Sequence, residues 1–142
     1  MLKILMAVDG SEPAGRALET VARLAREGLQ LQLWLLNVRE LPVYYGELPA
    51  LNVADIEDAL LQQQERVLAE AKARAEQLGL VVAALERAVG PAGPEIVRVA
   101  TEHSVDQVVM GTHGRGALGR LFLGSVAQRV LHGWSGPLLL VR

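Results

Sequence analysis

Short apolar runs alternate with segments of helical periodicity from one end of this 142-residue sequence to the other. Apolar runs of roughly four to eight residues closed by turn residues are typical of buried strands, whereas apolar residues three or four apart predict helices. On this basis we predict five strands, over 2–8, 31–38, 80–89, 105–110 and 137–141. We predict four helices, over 13–28, 55–78, 94–103 and 125–134, and a long loop over 40–54. In the second helix the polar residues 62–66 are expected mainly on the solvent side, and Trp34 and Trp134 are expected in the core.

The alternation favours a parallel sheet, because strands joined through helices pair side by side with right-handed crossovers. Nearly continuous apolar strands fit a sheet that is covered on both faces. We therefore predict an α/β fold with a five-stranded parallel doubly wound sheet, four helices and a single domain over 1–142. Ligands of such sheets bind beyond the carboxyl ends of the strands, where the strand order reverses. Asp9, Val38 and Gly111 follow or end predicted strands at that edge.

The composition excludes several functional classes. The formal net charge is −2 and the 14 lysines and arginines are scattered, so no nucleic-acid partner is expected. The absence of cysteine excludes a disulfide framework, a thiolate metal site and a cysteine nucleophile. No apolar run reaches the roughly 18 residues that cross a bilayer, and the first run ends at Asp9 without the features of a secretion signal. We expect a cytoplasmic protein with no membrane partner, and surface positions for His103, His113 and His132.

The stretch 111–124 contains five glycines between a predicted strand and a predicted helix. Loops of this kind usually take about 2–6 residues, so a longer one favours a function of its own. Glycine lets backbone N–H groups turn towards an anion, and the first N–H groups of a helix that begins at Ser125 lack partners. Arg115, Arg120 or Arg129 would add charge-assisted bonds. The pattern predicts a phosphate site, with a plain glycine-rich turn as the alternative.

Two well-known phosphate loops do not fit this stretch. Gly124 and Ser125 close it without the lysine of a Walker loop. The glycine spacing within 114–119 matches a dinucleotide fingerprint, but it follows the fourth strand instead of the first. Leu139 also stands where that fingerprint needs an acidic residue for the ribose. Both loops are therefore rejected.

Two other protein classes of similar size and topology are excluded as well. A phosphoacceptor receiver domain needs paired acids after its first strand, but here Gly10 follows Asp9, and no lysine lies beyond Lys72. A flavodoxin-like electron carrier needs a phosphate loop after its first strand, where this chain has only a short turn.

One further motif matches at every specified position. The spacing Gly111-x2-Gly114-x9-Gly124-Ser125 is the nucleotide-binding motif Gly-x2-Gly-x9-Gly-Ser/Thr of the universal stress protein family. Segments 7–11, 36–38, 109–114 and 137–141 also resemble that family, in the same order along the chain. The resemblance covers the whole sequence and implies a Rossmann-like fold of the adenine nucleotide α-hydrolase kind, with the strand order 3-2-1-4-5.

The resemblance also implies a set of binding residues. Asp9 would contact the adenine side of ATP, Val38 would pack near the base and offer it backbone groups, and Met110 would pack nearby. The glycines would line the ribose and phosphates, and the start of the last helix would hold the phosphate tail. The full set is Ala7, Asp9, Val38, Met110, Gly111, Thr112, Gly114, Arg115, Gly124, Ser125 and Val126. Asn37 departs from the histidine of many members and is expected to face the neighbouring strand.

The implied ligand is ATP, with Mg²⁺ or Mn²⁺ held mainly by its phosphates and no metal-binding residue of the protein. No catalytic residues are legible, so we expect a nucleotide-dependent signalling or stress-response module with at most slow hydrolysis. The uncharged last strand predicts a homodimer through residues 137–142. Three alternatives stay open. The first alternative is a dimeric interaction protein of this fold that binds no nucleotide. The second is that Asp9 only caps the first helix. The third is that the loop with Tyr44 and Tyr45 is an exposed connector instead of a lid over the base.

Overall fold

A computed structural model describes residues 1–41, 53–114 and 122–142 of the chain. The strands are β1 (Leu2–Ala7), β2 (Leu31–Arg39), β3 (Val82–Val89), β4 (Gln107–Gly111) and β5 (Leu138–Val141). The helices are α1 (Glu12–Arg26), α2 (Val53–Gln77), α3 (Ala92–Glu102) and α4 (Ser125–Gly133). Every predicted element is present, with each boundary within two residues of the prediction. Tyr44, Tyr45, Arg115 and Arg120 lie outside the described residues.

The five strands form one sheet in the order β3-β2-β1-β4-β5, and every neighbouring pair is parallel. The predicted fold class and strand order are confirmed. β1 is the central strand, with Ala7 opposite Leu36 of β2 and Met6 opposite Val109 of β4. The strand order therefore reverses between β1 and β4, and their carboxyl ends meet at one edge of the sheet.

Two apolar layers cover the sheet, because successive side chains of a strand point to opposite faces. Ile4 faces the layer that contains Val21 of α1 and Leu68 of α2, whereas Leu5 faces the layer that contains Ile96 of α3 and Val130 of α4. Trp34 and Trp134 are partly buried against the second layer. Burying a large aliphatic side chain contributes about 1.5–3 kcal/mol, so these two layers hold the helices in place. No helix in the described part of the chain is long and apolar enough to cross a membrane.

The start of α1 lies directly beyond the carboxyl end of β1. Ser11 is the N-cap, and its hydroxyl oxygen accepts a hydrogen bond from the Ala14 N–H at 3.4 Å. Pro13 lies in the first turn, where a missing N–H costs nothing. After the helix ends, Gly28 takes the left-handed backbone conformation, with φ +105°, that favours glycine. These local signals place the N-terminus of α1 at the switch point of the sheet.

The burial of Gln64 corrects the expectation that residues 62–66 lie on the solvent side of the second helix. Gln64 is only 3% exposed and shares the buried face of α2 with Val67 and Leu68. Its amide finds carbonyl acceptors there, which offsets the cost of removing it from water. Glu65, the next residue, is exposed and pairs with Arg87 of β3 at 2.8 Å between Oε2 and Nη2, which lowers the pKa of the Glu65 carboxyl.

Candidate functional site

A cavity of about 300 Å³ opens where the carboxyl ends of β1, β2 and β4 meet the first turns of α3 and α4. Ten of the eleven sequence-predicted binding residues line it. They are Ala7, Asp9, Val38, Met110, Gly111, Thr112, Gly114, Gly124, Ser125 and Val126. The eleventh, Arg115, lies outside the described residues. The fold thus brings together residues that are more than one hundred positions apart in the sequence.

Asp9 follows β1 and is held by the turn that leads into α1. Its Oδ1 accepts a hydrogen bond from the Ser11 N–H at 2.9 Å. The helix cap is supplied by Ser11, so the alternative that Asp9 itself caps the helix is wrong. The second carboxylate oxygen of Asp9, Oδ2, lies 2.8 Å from the place that a Cβ at Gly114 would take. One oxygen therefore fixes the side chain while the other lies against the glycine segment across the cavity.

Two glycines of the motif are required by close packing. A Cβ at Gly111 would lie 2.7 Å from Pro13 Cβ and 3.3 Å from the Ala14 backbone nitrogen. A Cβ at Gly124 would lie 2.9 Å from the Thr112 carbonyl oxygen. The absence of side chains lets α1 approach the end of β4 and lets α4 begin directly beside it. These glycines therefore shape the cavity as well as leaving space within it.

The N-terminus of α4 supplies hydrogen-bond donors to the cavity. The Gly124 N–H is used within the fold, where it donates to the Thr112 carbonyl at 2.7 Å. The N–H groups of Ser125, Val126 and Ala127 occupy the first helical turn, where no carbonyl of the same helix can accept them. All three residues line the cavity. The partial positive charge of a helix N-terminus adds to these donors, so this end of the cavity suits an anion.

His113 is not at the open surface, contrary to the sequence-based expectation. It is half-buried and lines the cavity, and its Nδ1 lies 2.8 Å from the Thr112 Oγ1. Its Nε2 is buried and has no hydrogen-bond partner within the part of the chain that the structure describes. The imidazole is therefore part of the wall that β4 contributes.

The rest of the wall is largely aliphatic. Val38, Met110 and Ile96 approach from β2, β4 and α3, and Ala92 stands at the first turn of α3. The cavity therefore has a carboxylate at one place, α4 N–H groups without an acceptor in their own helix at another, and aliphatic side chains in the rest of its wall. This combination can bind a ligand that carries an apolar flat group with polar edges and an anionic tail.

Nine lining residues were not among those predicted: Val8, Ser11, Ala14, Leu36, Asn37, Ala92, Ile96, His113 and Ala127. Ser11 and Asn37 lie beside predicted site residues, and a polar Asn37 within an apolar strand was a signal that its amide has a specific partner. Ala92 and Ile96 give no signal, because their place in the wall depends on how α3 packs across the sheet.

The fold and the cavity define the class of this chain: a doubly wound α/β protein with a ligand cavity at the topological switch point. The model of the universal stress protein family matches residues 1–142. The chain belongs to the universal stress protein family.

Individual relatives agree with this assignment. A universal stress protein of Thermus aquaticus is 37% identical over 98% of this chain and 97% of its own length. The solved structure of protein MJ0577 of Methanocaldococcus jannaschii is 27% identical, with a TM-score of 0.77 over 98% of this chain and 94% of that one. A universal stress protein of Archaeoglobus fulgidus, solved in complex with dAMP, is 21% identical with a TM-score of 0.68, and shares the fold over 100% of this chain and 98% of its own.

Proposed function

We propose that this chain binds ATP in the cavity between β1 and β4 and acts, as a single domain, in nucleotide-dependent stress response or signalling. The observation that carries the proposal is the arrangement of one cavity, with the Asp9 carboxylate and the first-turn N–H groups of α4 lining the same space. A carboxylate accepts hydrogen bonds from the amino group of adenine, and the N–H groups at a helix N-terminus donate hydrogen bonds to phosphate oxygens. The dAMP complex of the Archaeoglobus fulgidus relative, which has the same fold, is consistent with this proposal.

The roles of the lining residues follow from their chemistry. Asp9 and the backbone of Val38 recognise the edge of the base, while Val38 and Met110 pack against its faces. Gly111, Thr112 and Gly114 lie along the ribose and the first phosphate. Ser125 donates its hydroxyl and, with the Val126 N–H, holds the terminal phosphates. Ala7 closes the floor of the cavity.

A divalent ion accompanies the phosphates in this proposal. Within residues 1–41, 53–114 and 122–142, no three acidic or histidine side chains come together as a protein metal site would require. Phosphate oxygens and water would therefore supply most of the ligands to Mg²⁺ or Mn²⁺. In this proposal the first-turn N–H groups of α4 hold the phosphates, and we expect hydrolysis to be slow at most. A cytoplasmic location stays a prediction.

Calorimetric titration of purified, nucleotide-stripped protein with Mg²⁺–ATP tests the proposal. We expect saturable binding with a Kd below about 1 mM, which corresponds to about −4.1 kcal/mol. At a hundredfold excess over Kd the ligand should stabilise the fold by about 2.7 kcal/mol, which a rise in Tm would report. No heat and no rise in Tm at millimolar ATP would instead favour an interaction protein of this fold that binds no nucleotide.

The second part of the proposal is a homodimer through β5. Among the described strands β5 pairs only with β4, its four residues are each partly exposed, and none is charged. The opposite edge strand, β3, carries Glu86 and Arg87, which discourage pairing with another chain. An antiparallel contact between two copies of β5 would pair the backbone N–H and C=O groups on the side of β5 that faces away from β4.

Replacing Leu139 by lysine is expected to convert the dimer to a monomer, because it places a charge in the strand that would pair. Analytical ultracentrifugation at micromolar concentration measures the change, with circular dichroism to verify the fold. Val89→Lys on β3, where the valine is 43% exposed, is the matched control and should leave the mass unchanged. A Leu139→Lys dimer that persists, or a Val89→Lys monomer, rules out the β5 interface.

A further inference from the structure

Gln64 joins α2 to the carboxyl ends of two neighbouring strands. Its Nε2 donates one hydrogen bond to the Asn37 carbonyl of β2 at 2.9 Å and another to the Ala88 carbonyl of β3 at 3.1 Å. Both donors of this amide nitrogen are thereby used, and the side chain is 3% exposed. A buried amide with both hydrogens bonded has one well-defined orientation, so it fixes the separation of the two strand ends.

Asn37 continues this connection towards the central strand. Its Nδ2 donates to the Val8 carbonyl at 2.7 Å, while the Val8 N–H donates to the Leu36 carbonyl at 2.8 Å. Val8 is thus held to β2 through both of its backbone polar groups, one residue beyond the end of β1. The peptide unit fixed in this way is the one that leads directly into Asp9.

We propose that Gln64 and Asn37 form a positioning pair that sets the base selectivity of the nucleotide site; this inference rests on the proposed function. Asn37 lines the nucleotide cavity, but Gln64 does not. Gln64 lines an adjoining cavity of about 180 Å³ between β2 and α2, whose wall also includes Asp9, Asn37 and Val38. Within the nucleotide cavity Gln64 acts through the backbone that it holds, and the residues adjoining that backbone are Asp9 and Val38.

The effect of the pair is on the base and not on the phosphates. Asp9 and the Val38 backbone are the groups placed at the base edge, whereas the phosphate donors belong to α4, which makes no hydrogen bond to Gln64 or Asn37 among the described residues. Adenine offers amino hydrogens to a carboxylate, and guanine offers a carbonyl oxygen at the corresponding position, which the carboxylate repels. Discrimination between them depends on where the carboxylate and the strand end lie.

The test is the ratio of the Kd for GTP to the Kd for ATP in wild type and in Gln64→Met. Methionine has a similar length and shape and no donor, so the variant keeps the packing of α2 and loses both hydrogen bonds. We expect the ratio to fall about tenfold, mainly because ATP binds more weakly. Gln62→Met is the matched control, since Gln62 is exposed on the same helix and the ratio should stay at the wild-type value.

A second variant and a second measurement guard against a merely structural effect. Asn37→Val removes the side-chain hydrogen bond to Val8, keeps the backbone carbonyl that Gln64 uses, and changes the cavity wall at this position. It should lower the same ratio, and the double variant should lower the ratio no further than the larger single change. In ligand-free Gln64→Met, the amide NMR resonances of Asp9 and Val38 should shift while those of residues 125–127 stay in place. If Gln64→Met lowers the Tm but leaves the ratio of the two Kd values and the amide resonances of Asp9 and Val38 unchanged, the positioning role is overturned. A wild type that does not bind ATP overturns the proposed function instead, and the resonance shifts then still report whether the pair holds these strand ends.

Discussion

Replacing Gly111 by alanine is expected to lower the free energy of unfolding by about 1–3 kcal/mol, as overpacking of a close-packed site does. The added methyl group would lie 2.7 Å from Pro13 Cβ and 3.2 Å from the Pro13 carbonyl carbon. Relief of this contact requires α1 to move away from β4, because backbone atoms cannot rotate aside. The change should appear as a lower midpoint of urea denaturation with an unchanged slope.

Gly15→Ala is the matched control for this prediction. It adds the same methyl group four residues into α1, where a Cβ meets nothing within 4 Å. Because glycine within a helix is less favourable than alanine by roughly 0.5–1 kcal/mol, this variant should be more stable than wild type. Relative to wild type, the free energy of unfolding should therefore fall in Gly111→Ala and rise in Gly15→Ala. If both are neutral, β4 and α1 are not packed as closely as the structure shows.

Replacing Asp9 by alanine is expected to weaken ATP binding by about ten- to a hundredfold, because a hydrogen bond to a charged group contributes about 1.5–3 kcal/mol. The fold should be largely retained, since Ser11 and not Asp9 caps α1. Gly114→Ala should weaken binding through the same carboxylate, because its new methyl group would lie 2.8 Å from Asp9 Oδ2. Calorimetric titration with ATP measures both effects.

A double variant that combines Asp9→Ala with Gly114→Ala shows whether the Gly114 substitution acts through the Asp9 carboxylate. If Gly114→Ala acts by displacing the Asp9 carboxylate, it should have little further effect on ATP binding once Asp9 is alanine. Its stability should stay near that of Asp9→Ala, because Gly114 is exposed and its backbone needs no left-handed conformation. Additive losses in affinity would mean that the methyl group blocks the ligand directly.

The element boundaries followed from the sequence because two periodicities alternate along the chain, whereas the strand order 3-2-1-4-5 was implied by the family resemblance. The strands β1, β2 and β4 are apolar enough to be largely buried, and each connection is long enough for a crossover helix. The site was anticipated for a related reason. Asp9, Val38 and Gly111 end or follow strands, and parallel strands bring their carboxyl ends to one edge.

What escaped the sequence analysis depends on how helices pack across the sheet. Gln64 is polar, so periodicity assigned it to solvent, although acceptors on two strands satisfy it within the core. Ala92 and Ile96 enter the cavity wall only because α3 crosses over the end of β2. The glycine motif indicated where the site lies, but not that its glycines also allow close packing. The contact of Gly111 with Pro13 joins segments about one hundred residues apart, which the sequence pattern does not show.

The central place of β1 has a consequence for the chain during its synthesis. The strand that is made first gains its second neighbour, β4, only after three-quarters of the sequence has been translated. The donors of α4 emerge from the ribosome later still. If the proposed nucleotide site is right, a nascent chain has Asp9 and Val38 long before it has the α4 donors, and a nucleotide would stabilise only the nearly finished protein.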